Sequence, residues 1–328
     1  MKILTLGEIM LRLTTPKGAR LRTSTAFQGY YGGGEANVAA SLANFGIDTA
    51  YATILPNNVV GLGVKDAMDR FGVDTSQVIL DETPNARLGT YYLEQGAGPR
   101  GSSVVYDRAH SAFAVATKLP WDIDALFGTG DAQIGMLHLS GIAPALNDFW
   151  RENILLLAKT AVERGIEISF DVNYRPKLWS TDECAAYLKL ILPYVTHLSA
   201  GNRDAQVFLG LETIEDALAV YPNIKTIYHT TRETLTSEHN RLTGSLYQDG
   251  TWTHSKTFDI PNIVDRIGGG DAYASGILYG IVNHHAAQDI VDFATAASVL
   301  KHTVLGDMNQ FLAAEVENFI VAGSDVSR

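Results

Sequence analysis

Residues 264–280, VDRIGGGDAYASGILYG, join three glycines to an aspartate and then to a run of small and apolar side chains. That run suits a helix packed closely on a sheet, which puts Gly268, Gly269 and Gly270 at a helix N-terminus. Unpaired N–H groups and the positive end of the helix dipole attract an anion there, and glycine lets a phosphate approach without a Cβ in the way. Asp271 would lie beside that anion. A carboxylate so placed takes the proton from an attacking hydroxyl while the backbone donors stabilise charge on a transferred phosphoryl group. The same residues also read as a turn with a capping carboxylate, and they match neither the dinucleotide fingerprint nor the P-loop.

A second cluster, YYGGGEANVAASLANFG, runs into a small-residue helix. Gly32, Gly33 and Gly34 would let a sugar-sized ligand lie against the backbone, with Asn37 positioned by the helix start; a tight packing turn is the alternative.

These residues need a scaffold. Short apolar runs at 3–6, 50–55, 136–139, 166–171, 195–199 and 224–229 read as strands, with helices at 35–45 and 147–164 between them. The second helix has Asn147 as N-cap, apolar positions at Ile154, Leu155, Ala158, Ala161 and Val162, and Gly165 as its stop. This alternation predicts an α/β fold with a mostly parallel sheet. Two stretches break it, roughly 12–31 and 87–114. In the second, LGTYYLEQG and SSVVYDRA read as adjoining antiparallel strands. Paired in space, the two stretches would make a small β-sheet covering a cleft.

The 328 residues carry 25 Lys+Arg against 36 Asp+Glu, a formal net charge of −11, which argues against non-specific nucleic-acid binding and leaves a local basic pocket for a small anion open. Cys184 is the single cysteine, so no intrachain disulfide forms and a reducing cytosol is expected. It reads as a packed thiol, and His284 and His285 follow a helix end without a metal role. No apolar run is long enough to suggest a membrane span.

Together the two glycine motifs resemble the signatures of the ribokinase-like (PfkB) carbohydrate kinases: Gly32-Gly33-Gly34-Glu35-Ala36-Asn37 and Gly268-Gly269-Gly270-Asp271. The resemblance covers nearly the whole chain. It implies one three-layer α/β/α domain over 1–328 with a small β-sheet lid, Mg·ATP as phosphoryl donor and a sugar as acceptor. In detail the chain is similar to the kinases of 2-keto-3-deoxygluconate within that family, which phosphorylate the terminal C6 hydroxyl. The resemblance implies Asp271 as base with the glycine loop (Gly268, Gly269, Gly270) stabilising the transferred group. Gly33, Gly34, Asn37, Tyr92, Tyr106, Arg108, Arg175 and Asp307 are expected at the sugar acid. Arginine's planar fork suits a carboxylate, although β-propensity explains the tyrosines and surface pairing the arginines equally well. Asn202, Ser237, Gly244, Gly268, Gly270 and Thr295 are expected at the nucleotide, against the plainer readings of caps, turns and a helix face. No direct protein ligand to Mg²⁺ is assigned. A homodimer through the lid sheet is expected.

Three positions depart from the family pattern. Pro56 stands where the first signature usually ends in Gly. Arg266 precedes the glycine run where many members carry a small residue; it reads as a surface charge or as a cation near ATP phosphates. The family's Asn-x-x-Glu reads Asn202-Arg203-Asp204-Ala205, so either Asp204 substitutes for the Glu or the metal surroundings differ. A related kinase for fructose, ribose or the galacto keto-deoxy acid is the near alternative, and a non-catalytic sugar-acid sensor the distant one.

Overall fold

The computed structural model describes residues 1–323. In chain order the strands are β1 (Ile3–Leu6), β2 (Met10–Thr14), β3 (Gln28–Gly32), β4 (Thr49–Pro56), β5 (Val78–Asp81), β6 (Gly89–Glu94), β7 (Ser103–Asp107), β8 (Met136–Ser140), β9 (Glu167–Asp171), β10 (His197–Ser199), β11 (Thr226–Thr236), β12 (His239–Gln248), β13 (Thr251–His254) and β14 (Phe258–Ile260). The main sheet runs β13-β12-β11-β10-β9-β8-β1-β4-β5, parallel from β11 through β5, with β14 paired to β12.

Its central strands are apolar on both sides because helices cover both faces. Leu4, Leu6, Leu137 and Leu139 pack on one side with Trp150, while Ile3 and Met136 pack on the other with Val38, Leu42 and Ile277. The alternation within β1 and β8 divides the core into two layers. Asn147 caps the helix Asp148–Glu163 by accepting from the Trp150 N–H at 2.9 Å, and Gly165, at φ +75°, follows its end. On that helix Ile154, Ala158 and Ala161 are buried as expected, whereas Leu155 is half-buried and Val162 exposed; Trp150 and Leu157 complete the buried stripe.

A separate four-stranded sheet, β3-β2-β6-β7, is built from the two stretches that broke the alternation. Its inner strands β2 and β6 are parallel, Arg12 opposite Tyr91, and β3 and β7 add antiparallel edges. Among the described residues, no helix is long and apolar enough to cross a membrane.

The main surprise is β11. The apolar run in the sequence predicts a strand only over 224–229. Instead it continues to Thr236 and folds back through Ser237 and Glu238 into β12 as a long antiparallel hairpin. The threonines of this extension are good strand formers.

Candidate active site

The helix Gly269–Val282 begins where the glycine run ends, with Gly268 as N-cap at φ +81° and Asp271 in its first turn. A side chain at Gly268 would be strained at that φ, and its Cβ would lie 1.8 Å from the carbonyl oxygen of Asp307. Nothing lies within 4 Å of the space a Cβ on Gly270 would fill, so the loop is bare where it faces the cleft. Gly33 precedes the other signature helix, Gly34–Asn44, and leaves no room for a side chain because the Glu8 carbonyl oxygen would sit 2.1 Å from its Cβ.

The two signatures meet directly. The Asn37 side-chain amide donates to Asp271 Oδ2 at 2.6 Å, across 234 residues of chain. That bond fixes the carboxylate. Oδ1 lies 3.9 Å from the position of a Cβ on Gly34, towards the open cleft. Burial raises the Asp271 pKa, opposed by the Asn37 bond and by the charges of Arg175 and Lys301. A base with increased proton affinity is better matched to taking a hydroxyl proton near neutrality.

A cavity of about 450 Å³ brings together Gly33, Gly34, Asn37, Tyr106, Arg108 and Arg175 with residues 268–271. Asp307 and Tyr91 also line it. Arg108 is buried, and its Nε and Nη2 both donate to Glu8 Oε2, the first at 2.8 Å. The Arg175 side chain has no hydrogen-bonding or ion-pair partner among the described residues, although its carbonyl accepts from the Leu178 N–H at 2.9 Å. Its guanidinium therefore faces the cleft uncommitted. The Tyr106 ring stands 5.8 Å from the Arg108 guanidinium and packs 5.8 Å from the Tyr91 ring.

Several expected site residues stand elsewhere. Tyr92 is on the other face of β6, opposite the exposed Val105, with its ring 6.1 Å from Phe27; its neighbour Tyr91 faces the cleft. Strand periodicity makes the two alternatives mutually exclusive, and the register could not be read from the sequence. Gly244 and Thr295 are packed against each other, Thr295 Oγ1 lying 2.1 Å from the position of a Cβ on Gly244, so neither is open to a nucleotide. Ser237 is in the hairpin turn, its N–H donating to the Gly98 carbonyl at 3.0 Å, on an adjoining cavity of about 360 Å³ that shares Arg266 and Ile267 with the first. Asn202 lines a third cavity of about 470 Å³, with Oδ1 accepting from the Ile214 N–H at 3.0 Å. Asp204 accepts from the Gly201 N–H at 2.9 Å and is spent as a helix cap.

Other site residues went unread. Arg12, at 0% exposure, donates to Asp307 at 2.7 Å and to Asp265, and its Nε donates to Thr14 at 2.7 Å. Asp307 also accepts from the Tyr91 hydroxyl, so both of its oxygens are held within the protein. Burial pushes its carboxyl up to about 6 despite Arg12. Lys301 is fully buried nearby, its ammonium 3.5 Å from the Asp265 carbonyl oxygen. Glu35, between the glycines and Asn37 in the first signature, is buried with Oε1 accepting from Ser140 at 2.5 Å, and burial pushes it up to about 7.

Asp171, at the end of β9, shares the cavity with Asp271 and is held by the Asn173 backbone and side-chain N–H groups, both at 3.1 Å. Burial, reinforced by the charge on Asp271, pushes it up to about 7. Two carboxylates facing one cavity would welcome a divalent cation, and they are hard oxygen ligands. Among the described residues no set of three or more His, Cys, Asp or Glu forms a cage. That donor set fits Mg²⁺, which keeps several waters and takes one or two carboxylates plus substrate phosphates.

Comparison with known proteins finds relatives along nearly the whole chain. The profile of the pfkB family carbohydrate kinases matches residues 1–313. The 2-dehydro-3-deoxygalactonokinase of Haloferax volcanii is 31% identical over 98% of this chain and 97% of its own. A PfkB family carbohydrate kinase from Listeria grayi superposes with TM-score 0.93 at 39% identity, over 98% of this chain and 100% of its own. The 2-dehydro-3-deoxygluconokinase of Thermotoga maritima superposes with TM-score 0.92 at 35% identity, over the same shares of the two chains.

Proposed function

The chain belongs to the pfkB family of carbohydrate kinases, and from that premise we propose that it transfers the γ-phosphoryl group of ATP to the C6 hydroxyl of 2-keto-3-deoxygluconate. The observation that carries this reading is one cavity holding both an aspartate fixed by Asn37 and two arginines, Arg108 and Arg175, suited to a carboxylate. Arg108 is already paired with Glu8, so a neutral sugar would leave the Arg175 guanidinium without a counter-charge.

In this reading the sugar acid lies along Gly33 and Gly34, its carboxylate on Arg175 and the remaining face of Arg108, with Tyr106 packed over its carbons. The terminal hydroxyl reaches Asp271 Oδ1. Asp271 takes its proton as the oxygen attacks, while N–H groups of residues 268–271 receive the charge of the transferring group. Asn37 prevents the carboxylate from rotating away. Asp171, with Asn173, would hold Mg²⁺, which when bound neutralises charge on the phosphates. The small sheet acts as a lid that excludes water and forms, with the main sheet, one catalytic domain in a cytosolic enzyme. Pairing of that sheet between two copies would make a homodimer.

An ADP-release assay across 2-keto-3-deoxygluconate, its galacto epimer, gluconate, fructose and ribose tests the reading. Preference for the gluco acid supports it. The Haloferax relative's name makes the galacto epimer the specific rival, and higher kcat/KM for that epimer would replace the substrate while keeping the chemistry. Preference for a neutral ketose, or no ADP release with any of the five, would overturn the proposal.

A further inference from the structure

We propose that Arg232, carried by the β11–β12 hairpin, and Arg266 form a two-guanidinium clamp for the phosphate chain of the nucleotide. It would share with Arg108 and Arg175, which face the sugar carboxylate, the one cavity that all four line. The inference rests on the kinase reading above.

Both side chains line the cavity that holds residues 268–271. Neither has an acidic partner among the described residues, a state they share with Arg175 and with none of Arg12, Arg108 and Arg241. Arg12 is held by Asp265 and Asp307, Arg108 by Glu8, and Arg241, on the strand beside Arg232, by Glu233 at 3.3 Å and Asp259 at 3.5 Å. Strand alternation explains the difference. His229, Thr231, Thr243 and Ser245 face the third cavity, so Arg232, one residue on and opposite Leu242, projects from the other face of the hairpin into the cleft. The hairpin tip is held there by the Ser237 N–H bond to Gly98 and by the Lys17–Glu238 ion pair.

Two unpaired guanidiniums lining one cavity repel. Burial lowers the Arg232 pKa, and the charge on Arg266 lowers it further. In a chain of net charge −11, acids to pair them were plentiful, yet none is placed beside them. A polyanion would relieve the repulsion, and a planar fork matches phosphate oxygens. The sugar acid brings a single carboxylate, so the remaining two cations correspond to ATP, whose γ-phosphoryl must reach the glycine loop beside Arg266.

The test uses the intact protein with Arg232→Ala, Arg266→Ala and Arg232→Lys. In steady state, each alanine variant should raise the KM for ATP at least tenfold while the KM for the sugar acid moves less than twofold. Arg232→Lys should recover part of the loss. Titration with a non-hydrolysable ATP analogue should show the same weakening, and an unchanged Tm shows that the variants fold. An unchanged KM for ATP, or a rise in the KM for the sugar acid instead, overturns the clamp and leaves the kinase reading intact. If the wild type releases no ADP with any sugar, the kinase reading fails by itself. The analogue titration then decides the clamp: tenfold weaker binding in the alanine variants sustains it, and equal binding ends it.

Discussion

Replacing Arg12 by Met isolates the charge network that ties the small sheet to the glycine loop. Methionine keeps most of the apolar stem and removes the cation, leaving Asp265 and Asp307 facing each other at 2–3% side-chain exposure. Breaking a buried pair by removing one partner costs about 3–5 kcal/mol. Unfolding entropy of about 2.1 cal/mol/K per residue over 328 residues gives roughly 0.7 kcal/mol/K, so the expected loss is about 4–7 °C in Tm at pH 8. The loss should depend on pH. The carboxyl of Asp307 titrates at about 6 in the intact network, above its unfolded value, so its buried charge is absent well below that pH and fully present above it. Without Arg12 its pKa climbs further. At pH 5.5 Asp307 is then neutral, and the Tm deficit should shrink to less than about half. Asp265 keeps the Ile267 and Gly306 N–H groups, both at 3.1 Å, under either condition. Adding Asp307→Asn to the Met variant should recover part of the pH 8 deficit. Differential scanning calorimetry at the two pH values decides the matter: an equal deficit at both, or none at pH 8, would refute the reasoning.

Asp271→Asn should lower kcat by about 10²–10⁴-fold while calorimetric binding of the sugar acid persists, because the amide cannot accept the hydroxyl proton; near-normal turnover removes Asp271 as the base. Arg175→Ala removes an uncommitted guanidinium worth about 1.5–3 kcal/mol to a charged partner, so the KM for the sugar acid should rise roughly 10- to 150-fold with the KM for ATP unmoved. Equal effects on both substrates would reject Arg175 as the carboxylate anchor. Glu35 has a folded pKa of about 7 against 4.5 as its ordinary value, so the folded state holds an extra proton between them and stability falls as pH rises through that window. Glu35→Gln should therefore raise Tm at pH 8 by the equivalent of up to about 3 kcal/mol and change it little at pH 4; a gain that does not vary with pH would sink the burial argument.

The chain announced its scaffold because parallel strands covered on both faces are short, uninterrupted apolar runs, and β1, β4 and β8 appear as such. The loop at Asp271 stood out only together with the second glycine cluster, since three glycines before an acid also suit a capped turn. The contact between Asn37 and Asp271 was not readable as a bond, although both residues stood out. Arg12 was hidden because an arginine in a strand ordinarily marks a solvated face, and its two acids lie far along the chain. Tyr91 and Tyr92 differ by one residue of register, which composition does not set. The hairpin that carries Arg232 was hidden because the outer part of β11 is exposed and rich in Thr, Glu and Arg, with no apolar run to mark it, and the packing of Gly244 against Thr295 joins residues 51 apart in the chain.

The Arg12 bonds span sequence separations of 253 and 295 residues. A nascent chain emerges N-terminus first, so this guanidinium spends nearly the whole of synthesis hydrated, waiting for acids not yet made. The floor of the cleft is therefore assembled last, after the parallel strands have docked. A protein truncated before Asp307 would keep most of its hydrophobic interior and still be unable to anchor its small sheet to the glycine loop.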